Sequence, residues 1–170
     1  MATVPTQISM EEYLHTVYKP DRDYVNGELE EREVGEWDHA TWQGVLVRFF
    51  GAREKKWGIF VRPELRVRVA VGSVRIPDVC IVSATAPVEQ VVTVPPLAVF
   101  EILSHEDRMT RVLDRLADFD RLGVPAIWLI DPRKSSYSLY SSGHLTPAST
   151  FELPGTSFHV EMAEIAAYEG

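Results

Sequence analysis

The sequence predicts an α/β (α+β) chain built on a mixed central β-sheet flanked by helices. Three observations lead there. Residues 97–103 (Leu-Ala-Val-Phe-Glu-Ile-Leu) form an apolar run broken only by Glu101, the pattern of a strand covered on both faces. A helical stretch to about Leu122 and a second apolar run, Ala126–Ile130, follow it, so residues 97–130 read as a right-handed strand–helix–strand crossover with parallel strands. Upstream, Ile59 to Val71 alternates, with Leu65, Val67, Val69 and Val71 on one side and Arg62, Glu64, Arg66 and Arg68 on the other, as in a half-buried strand.

The remaining elements follow in order. Ser9 with Glu12 forms a capping box for a helix from Met10 to about Val17, ended by Pro20 and Asp21. Tyr24 to Leu29 reads as a hairpin around Asn26-Gly27, with Glu28 opening its second strand. Asp38 caps a helix from His39 to about Lys56, whose Trp42, Val45, Leu46, Phe49 and Phe50 share one face; Gly58 stops it. Val74–Ser83 is a strand antiparallel to Ile59–Val71 around Gly72-Ser73, and Ala84–Pro96 a loop with three prolines. Asp107 or Ser104 caps the crossover helix, whose inner face is Met109, Val112, Leu113, Leu116 and Phe119. Gly123 then supplies a left-handed stop, with Pro125 just beyond. Weaker strands fall at Tyr137–Tyr140, about His144–Thr150 and Phe158–Val160, and a short helix at Ala163–Tyr168.

At 170 residues, with no repeat and no linker, the chain fits one domain spanning residues 1–170. Apolar residues are 45% and charged residues 25%, ordinary usage for a globular protein. No apolar run reaches the ~20 residues a spanning helix requires. The N-terminus shows no basic segment followed by an apolar one, and Cys80 is the lone cysteine. A disulfide framework and a cysteine zinc site are excluded, and a reducing, cytoplasmic location is expected. The net charge of −8 argues against non-specific coating of nucleic acid. The charge is nevertheless segregated: Asp21–Asp38 holds eight acids and two bases, and Arg48–Arg75 eight bases and two acids. These blocks are either two solvated faces or an acidic pocket beside a basic substrate rim.

Two acids stand out because a charge entering a buried strand needs compensation. Glu101 lies inside an apolar run, and Asp78 sits where Arg75-Ile76-Pro77-Asp78-Val79 turns from polar to apolar. Separately, Glu101 could form a buried salt bridge with an arginine, and Asp78 could be a turn residue. Together they suggest a site for Mg²⁺ or Mn²⁺, which prefers a few carboxylate oxygens, with the Ile102 carbonyl as a further oxygen. Arg108, Arg111 and Arg115 share a flank of the crossover helix. They form either a solvated flank paired with Asp107, Asp114 or Asp118, or a cationic rail for phosphate. There is no Gly-x-Gly-x-x-Gly, no Walker loop, no zinc-metalloprotease pair and no Gly-x-Ser-x-Gly elbow.

The order strand, Pro-Asp, strand, Glu-x-x, basic helix, strand resembles the PD-(D/E)XK nuclease superfamily. More closely, the chain resembles the Uma-two family of restriction-endonuclease-like proteins. The landmarks are Ser9 to Leu14, Tyr24 to Leu29, His39, Ile76 to Val79, Glu101 to Ser104 and Gly123 to Pro132. The resemblance implies a restriction endonuclease-like fold and a metal-dependent endonuclease acting on DNA, expected as a homodimer. Asp78 and Glu101 would be metal ligands with Ile102. Glu28 matches a further acid and His39 a polar position near the pocket; each could equally be structural. The superfamily lysine two residues past the second acid is Leu103 here. Family members commonly carry it on the next helix, where this chain has Arg115. An arginine stays protonated and cannot be a general base, so the expected base is water activated by the ion, with Arg115 stabilising phosphate charge and Arg108 left open. The alternative is an impaired nuclease-fold protein that binds nucleic acid or a protein partner and keeps Glu101 and Arg115 as a buried ion pair.

Overall fold

The computed structural model describes residues 7–33 and 35–170; the first six residues, part of the segment read for a leader, lie outside them. The first helix, α1 (Met10–His15), starts as expected, with Ser9 Oγ accepting from the Glu12 N–H at 3.0 Å, and stops at an extended Thr16. The next two strands, β1 (Asp23–Val25) and β2 (Glu28–Glu30), make the expected hairpin, in which Asn26 and Gly27 both take positive φ (50° and 94°). That is the geometry of a two-residue turn matched to strand twist.

The long helix expected over 39–56 is two: α2 (Trp37–Gly51) and α3 (Glu54–Trp57). Glu36 rather than Asp38 is the N-cap, and Asp38 sits in the first turn, where a negative charge favours the helix dipole. The break follows Gly51. There the Arg53 guanidinium folds back to the Phe49 carbonyl (2.9 Å) and lies 3.6 Å over the Phe49 ring. Gly58, at φ 65°, ends α3.

The expected hairpin of Ile59–Val71 and Val74–Ser83 is also divided. Its outer halves, β3 (Ile59–Pro63) and β6 (Val79–Ser83), pair in one sheet; its inner halves, β4 (Val67–Ala70) and β5 (Ser73–Arg75), pair in another. Both arms bend at the same level. Glu64 takes φ 50° on one, and Ile76-Pro77-Asp78 interrupts the other. The Ala84–Pro96 loop returns to place Val92 beside β4, with Arg68 N–H on the Val92 carbonyl at 2.8 Å.

Downstream lie β7 (Ala98–Ile102), α4 (Met109–Leu122) and β8 (Ala126–Asp131). The two strands are parallel, Glu101 opposite Leu129, as the crossover requires. Val112, Leu116 and Phe119 of α4 are buried, but Met109 is 45% exposed. Neither Ser104 nor Asp107 caps α4; Arg108 holds that position, and Asp107 instead accepts from the Ser104 N–H at 2.7 Å in the turn before it. Gly123 takes φ 95° as the left-handed stop. Three further strands, β9 (Ser136–Ser141), β10 (His144–Pro147) and β11 (Thr150–Glu152), precede β12 (His159–Glu161) and α5 (Met162–Ala166).

The larger sheet has six strands in the order β10-β9-β8-β7-β6-β3 and is mixed, with β7–β8 its parallel pair. One face packs Phe100, Trp128 and Ile130 against α2, α5 and Phe151 of β11; the other packs Val99, Ile127 and Leu129 against α4 and Val67. The smaller sheet, β2-β1-β5-β4, buries Tyr24 and Val74 against Tyr13 of α1. Among the described residues no helix is long and apolar enough to cross a membrane.

Candidate active site

The division of the central hairpin produces the site. Antiparallel pairing of β6 with β7 ends at Val79 opposite Phe100, so the register, carried one residue further, sets Asp78 opposite Glu101. Opposed residues share a face, with Cβ atoms about 5 Å apart. Asp78 and Glu101 accordingly line one open cavity of about 20 Å³, with Ile102, Arg115, His39 and Ser104 among the other lining residues.

Asp78 is almost fully enclosed by donors. Its Oδ1 accepts from Arg32 Nη2 at 2.8 Å; its Oδ2 accepts from the Ile102 N–H at 2.8 Å and lies 3.2 Å from His39 Nε2. Gln43 Nε2, one turn beyond His39 on α2, donates to the Asp78 main-chain carbonyl at 3.0 Å. Burial pushes the Asp78 carboxyl up, but the hydrogen bond and charge of His39, with Arg115 and Arg32, outweigh it and hold the group below the usual carboxylate range. The converse applies to His39. Burial works against its charge, but Asp78 outweighs burial and raises its pKa above the ordinary histidine value.

Glu101 meets Arg115, projected from the buried side of α4. Arg115 Nη2 is 2.8 Å from Oε2 and 3.0 Å from Oε1, and also donates to the Ile76 carbonyl at 3.1 Å. Burial pushes the Glu101 carboxyl up to about 8; Arg115 pulls it down, and Asp78 opposes that pull. Arg115 is itself held above the ordinary arginine value because Glu101, Asp23 and Asp78 together outweigh its burial.

A second layer of charge lies behind this one. Arg115 Nε is 3.5 Å from Asp23 Oδ2, and Asp23 also accepts from Arg75 Nη1 (3.2 Å) and the Ile76 N–H (3.0 Å). Arg75 reaches Glu30 and Asp118, each at 2.6 Å. Arg66 pairs with Asp21 at 2.7 Å. Members of the acidic and basic sequence blocks therefore neutralise each other across the fold.

The other sequence candidates lie at varying distances from this centre. Arg108 is exposed at the start of α4, where Arg108, Arg111 and Arg115 line a shallow recess with Asp23 and Glu30. Of the three, Arg115 is paired with acids, whereas Arg108 and Arg111 are exposed. Glu28 is exposed at the hairpin end of β2 and lines neither cavity; Glu30, two residues along the same strand, is the acid that turns inward. Sequence reasoning missed Arg32, Asp23, Gln43 and Ser104. The signal that could have found Asp23 and Arg75 was the complementary charge of the two blocks.

The cavity is lined by the carboxylates of Asp78 and Glu101, hard oxygen donors of the kind Mg²⁺ and Mn²⁺ prefer. Ser104, Arg32 and His39 line the same cavity, and Ser104 Oγ, Arg32 Nε and His39 Nδ1 are buried without a hydrogen-bond partner among the described residues. Buried orphan polar atoms mark a space suited to a polar guest. No cluster of three or more His, Cys, Asp or Glu side chains able to hold a metal occurs among the described residues.

Comparisons agree with this fold. The chain is similar to a solved structure described as "a putative nuclease belonging to DUF820 from Anabaena variabilis", with TM-score 0.80 and 18% identity over 94% of this chain and 97% of that one. It also aligns, at TM-score 0.40 and 17% identity, with the DrdV–DNA complex, covering 72% of this chain and 10% of that one. No curated protein matches. The Uma2 family, described as "Putative restriction endonuclease", matches residues 10–163. With almost the whole sequence matched and the expected mixed sheet in place, the chain belongs to the Uma2 family and carries its nuclease-like fold.

Proposed function

We propose that the chain is a metal-dependent endonuclease that hydrolyses DNA phosphodiester bonds. The observation that carries this reading is that Asp78 and Glu101, on different strands, line one open cavity with Ile102 and Arg115. Asp78, Glu101 and the Ile102 carbonyl would hold Mg²⁺ or Mn²⁺. When bound, such an ion acidifies water and screens charge developing on the phosphoryl oxygens. Arg32 and His39 are positioning residues that keep Asp78 ionised and fixed in direction. Arg115 counters the Glu101 charge and is placed to donate to a substrate phosphate without losing its proton. Arg108 and Arg111 extend that positive flank outward. Cutting both strands of a duplex would use two copies of the chain.

Two measurements test the reading. Titration calorimetry with Mg²⁺ and Mn²⁺ should show binding to wild type that Asp78→Ala abolishes; unchanged binding in the variant removes the metal site. Plasmid nicking by wild type should be lost in Glu101→Gln, and full activity in that variant refutes the role of Glu101.

One observation favours a second reading. All four carboxylate oxygens of Asp78 and Glu101 already face N–H donors, as in a nuclease fold kept for binding alone. Wild type that binds DNA but neither takes up the ion nor nicks plasmid would establish that reading instead.

A further inference from the structure

The donors that face the two cavity carboxylates are not held with equal firmness. Arg115 is fastened beyond Glu101: it also donates to the Ile76 carbonyl at 3.1 Å and approaches Asp23 at 3.5 Å. Asp78 Oδ2 faces the Ile102 main-chain N–H, which β7 fixes, and His39 of α2. Asp78 Oδ1 faces Arg32, at 2.8 Å. Arg32 comes from the stretch after β2, and this contact is the one hydrogen bond its guanidinium makes among the described residues; its Nε has no partner there. An ion that draws on Asp78 must take an oxygen from a donor, and Oδ1 is the oxygen whose donor has the fewest other ties.

A guanidinium released from Asp78 cannot stay buried without a counter-charge, and one lies next to it. Glu64 Oε1 is 3.6 Å from Arg32 Nη1, just beyond hydrogen-bond length, and 3.5 Å from Gln43 Nε2. The Glu64 side chain is half exposed and has no closer partner among the described residues. Its place beside Asp78 is fixed by the main chain: the Glu64 N–H donates to the Asp78 carbonyl at 3.2 Å, the same carbonyl that Gln43 holds. Glu64 also takes φ 50°, a left-handed backbone that a residue other than glycine adopts at a cost. A second cavity of about 170 Å³, lined by Arg32, His39, Gln43 and Glu64 among others, gives the guanidinium room to move.

We propose that Arg32 is an exchangeable counterion of the metal site: it neutralises Asp78 Oδ1 until a divalent ion takes that oxygen, and then moves to Glu64, a positioning residue for metal uptake. The inference rests on the metal-dependent reading above and deepens it. The part Arg32 plays in keeping Asp78 ionised lasts until the ion assumes it, and the chain then takes up the ion at the expense of one internal contact rather than four.

The test is titration calorimetry with Mn²⁺ and Mg²⁺ on wild type, Arg32→Met, Glu64→Gln and the double variant. About 0.5 M NaCl screens fields that act beyond contact distance. Arg32→Met should bind the ion roughly 10-fold more tightly or better, since a competing charge-assisted hydrogen bond no longer holds Oδ1. Glu64→Gln should bind it about 2- to 5-fold more weakly, the worth of a half-exposed ion pair. In the Arg32→Met background Glu64→Gln should have no further effect, because no guanidinium is left to receive. Binding by Arg32→Met at wild-type strength or weaker overturns the inference and leaves the metal-dependent reading standing, and so does an equal loss from Glu64→Gln in both backgrounds. Failure of all four chains to bind either ion overturns both. Circular dichroism checks that each variant is folded; if Arg32→Met is not, wild-type affinity in Glu64→Gln, changed at a half-exposed side chain, overturns the inference by itself.

Discussion

Replacing Arg115 by methionine keeps the apolar stem of the side chain and deletes its guanidinium. The structure says what that removes: both contacts to Glu101, the hydrogen bond to the Ile76 carbonyl and the approach to Asp23. The cost depends on pH in a definite direction. In the folded chain the Glu101 carboxyl sits at about 8, against an ordinary 4.5. A carboxyl raised in this way supplies its stability in full below the ordinary value and loses it as pH rises through the folded one. At pH 6 Glu101 is protonated in wild type, so the variant mainly loses hydrogen bonds and should be less stable by about 1–3 kcal/mol. At pH 9 wild type holds an ionised Glu101 against Arg115, whereas the variant must keep the group protonated or bury a lone charge. Above about 8 each further pH unit adds up to about 1.4 kcal/mol, so at pH 9 the deficit should reach about 2–4 kcal/mol, approaching the usual cost of breaking a buried ion pair. Urea unfolding followed by circular dichroism, in EDTA at pH 6, 7.5 and 9, measures the gap. A gap that stays constant or narrows as pH rises would refute the reasoning.

Other perturbations separate the site from its supports. Arg75→Met strips the shared cation from Asp23, Glu30 and Asp118, leaving Asp23 with Arg115 Nε alone, and should cost about 3–5 kcal/mol in the same urea assay; a loss below about 1 kcal/mol would show that the Arg75 network contributes little net stability. Glu28→Gln, at an exposed strand end, should leave both Mg²⁺ binding and plasmid nicking unchanged, and a lost metal signal would bring Glu28 into the site. Burial pushes the Cys80 thiol up to about 12, so iodoacetamide at pH 8 should label it only after unfolding. Rapid labelling of the native chain, read by mass spectrometry, would contradict the closed packing of β6 against β7.

How much of this was legible in the sequence varies with the physical cause of each feature. The β7–α4–β8 unit was, because an apolar run, an amphipathic helix, a glycine stop and a second run all point the same way. The division of the central hairpin was not. Period-two alternation runs unbroken from Val61 through Leu65 to Val71, so hydrophobicity alone describes one strand. The bend comes from backbone geometry, a positive φ at Glu64 and the Pro77 interruption on the facing arm. Pro63 and Pro77, two residues apart in register on the two arms, were the available signals. Asp78 and Glu101 could be picked out because a carboxylate in an apolar run is conspicuous. Arg32 could not, since it sits as a minority base among acids and its burial depends on where the chain after β2 is laid down. Helix ends were off by a few residues where the capping residue used main-chain geometry alone, as at Glu36 and Arg108.

The Arg75–Asp23–Arg115–Glu101 series runs from the four-stranded sheet into the six-stranded one. The small sheet, resting on a modest apolar cluster around Tyr13, Tyr24 and Val74, is suited to open as a cooperative unit before the large core melts. When it lifts, Asp23 departs and the counterion arrangement around Arg115 dissolves with it. Amide exchange should then report the β1, β2 and β5 protons leaving together, ahead of β7 and β8. On warming, the ion-pair arrangement at the cavity would then loosen while the six-stranded core was still folded.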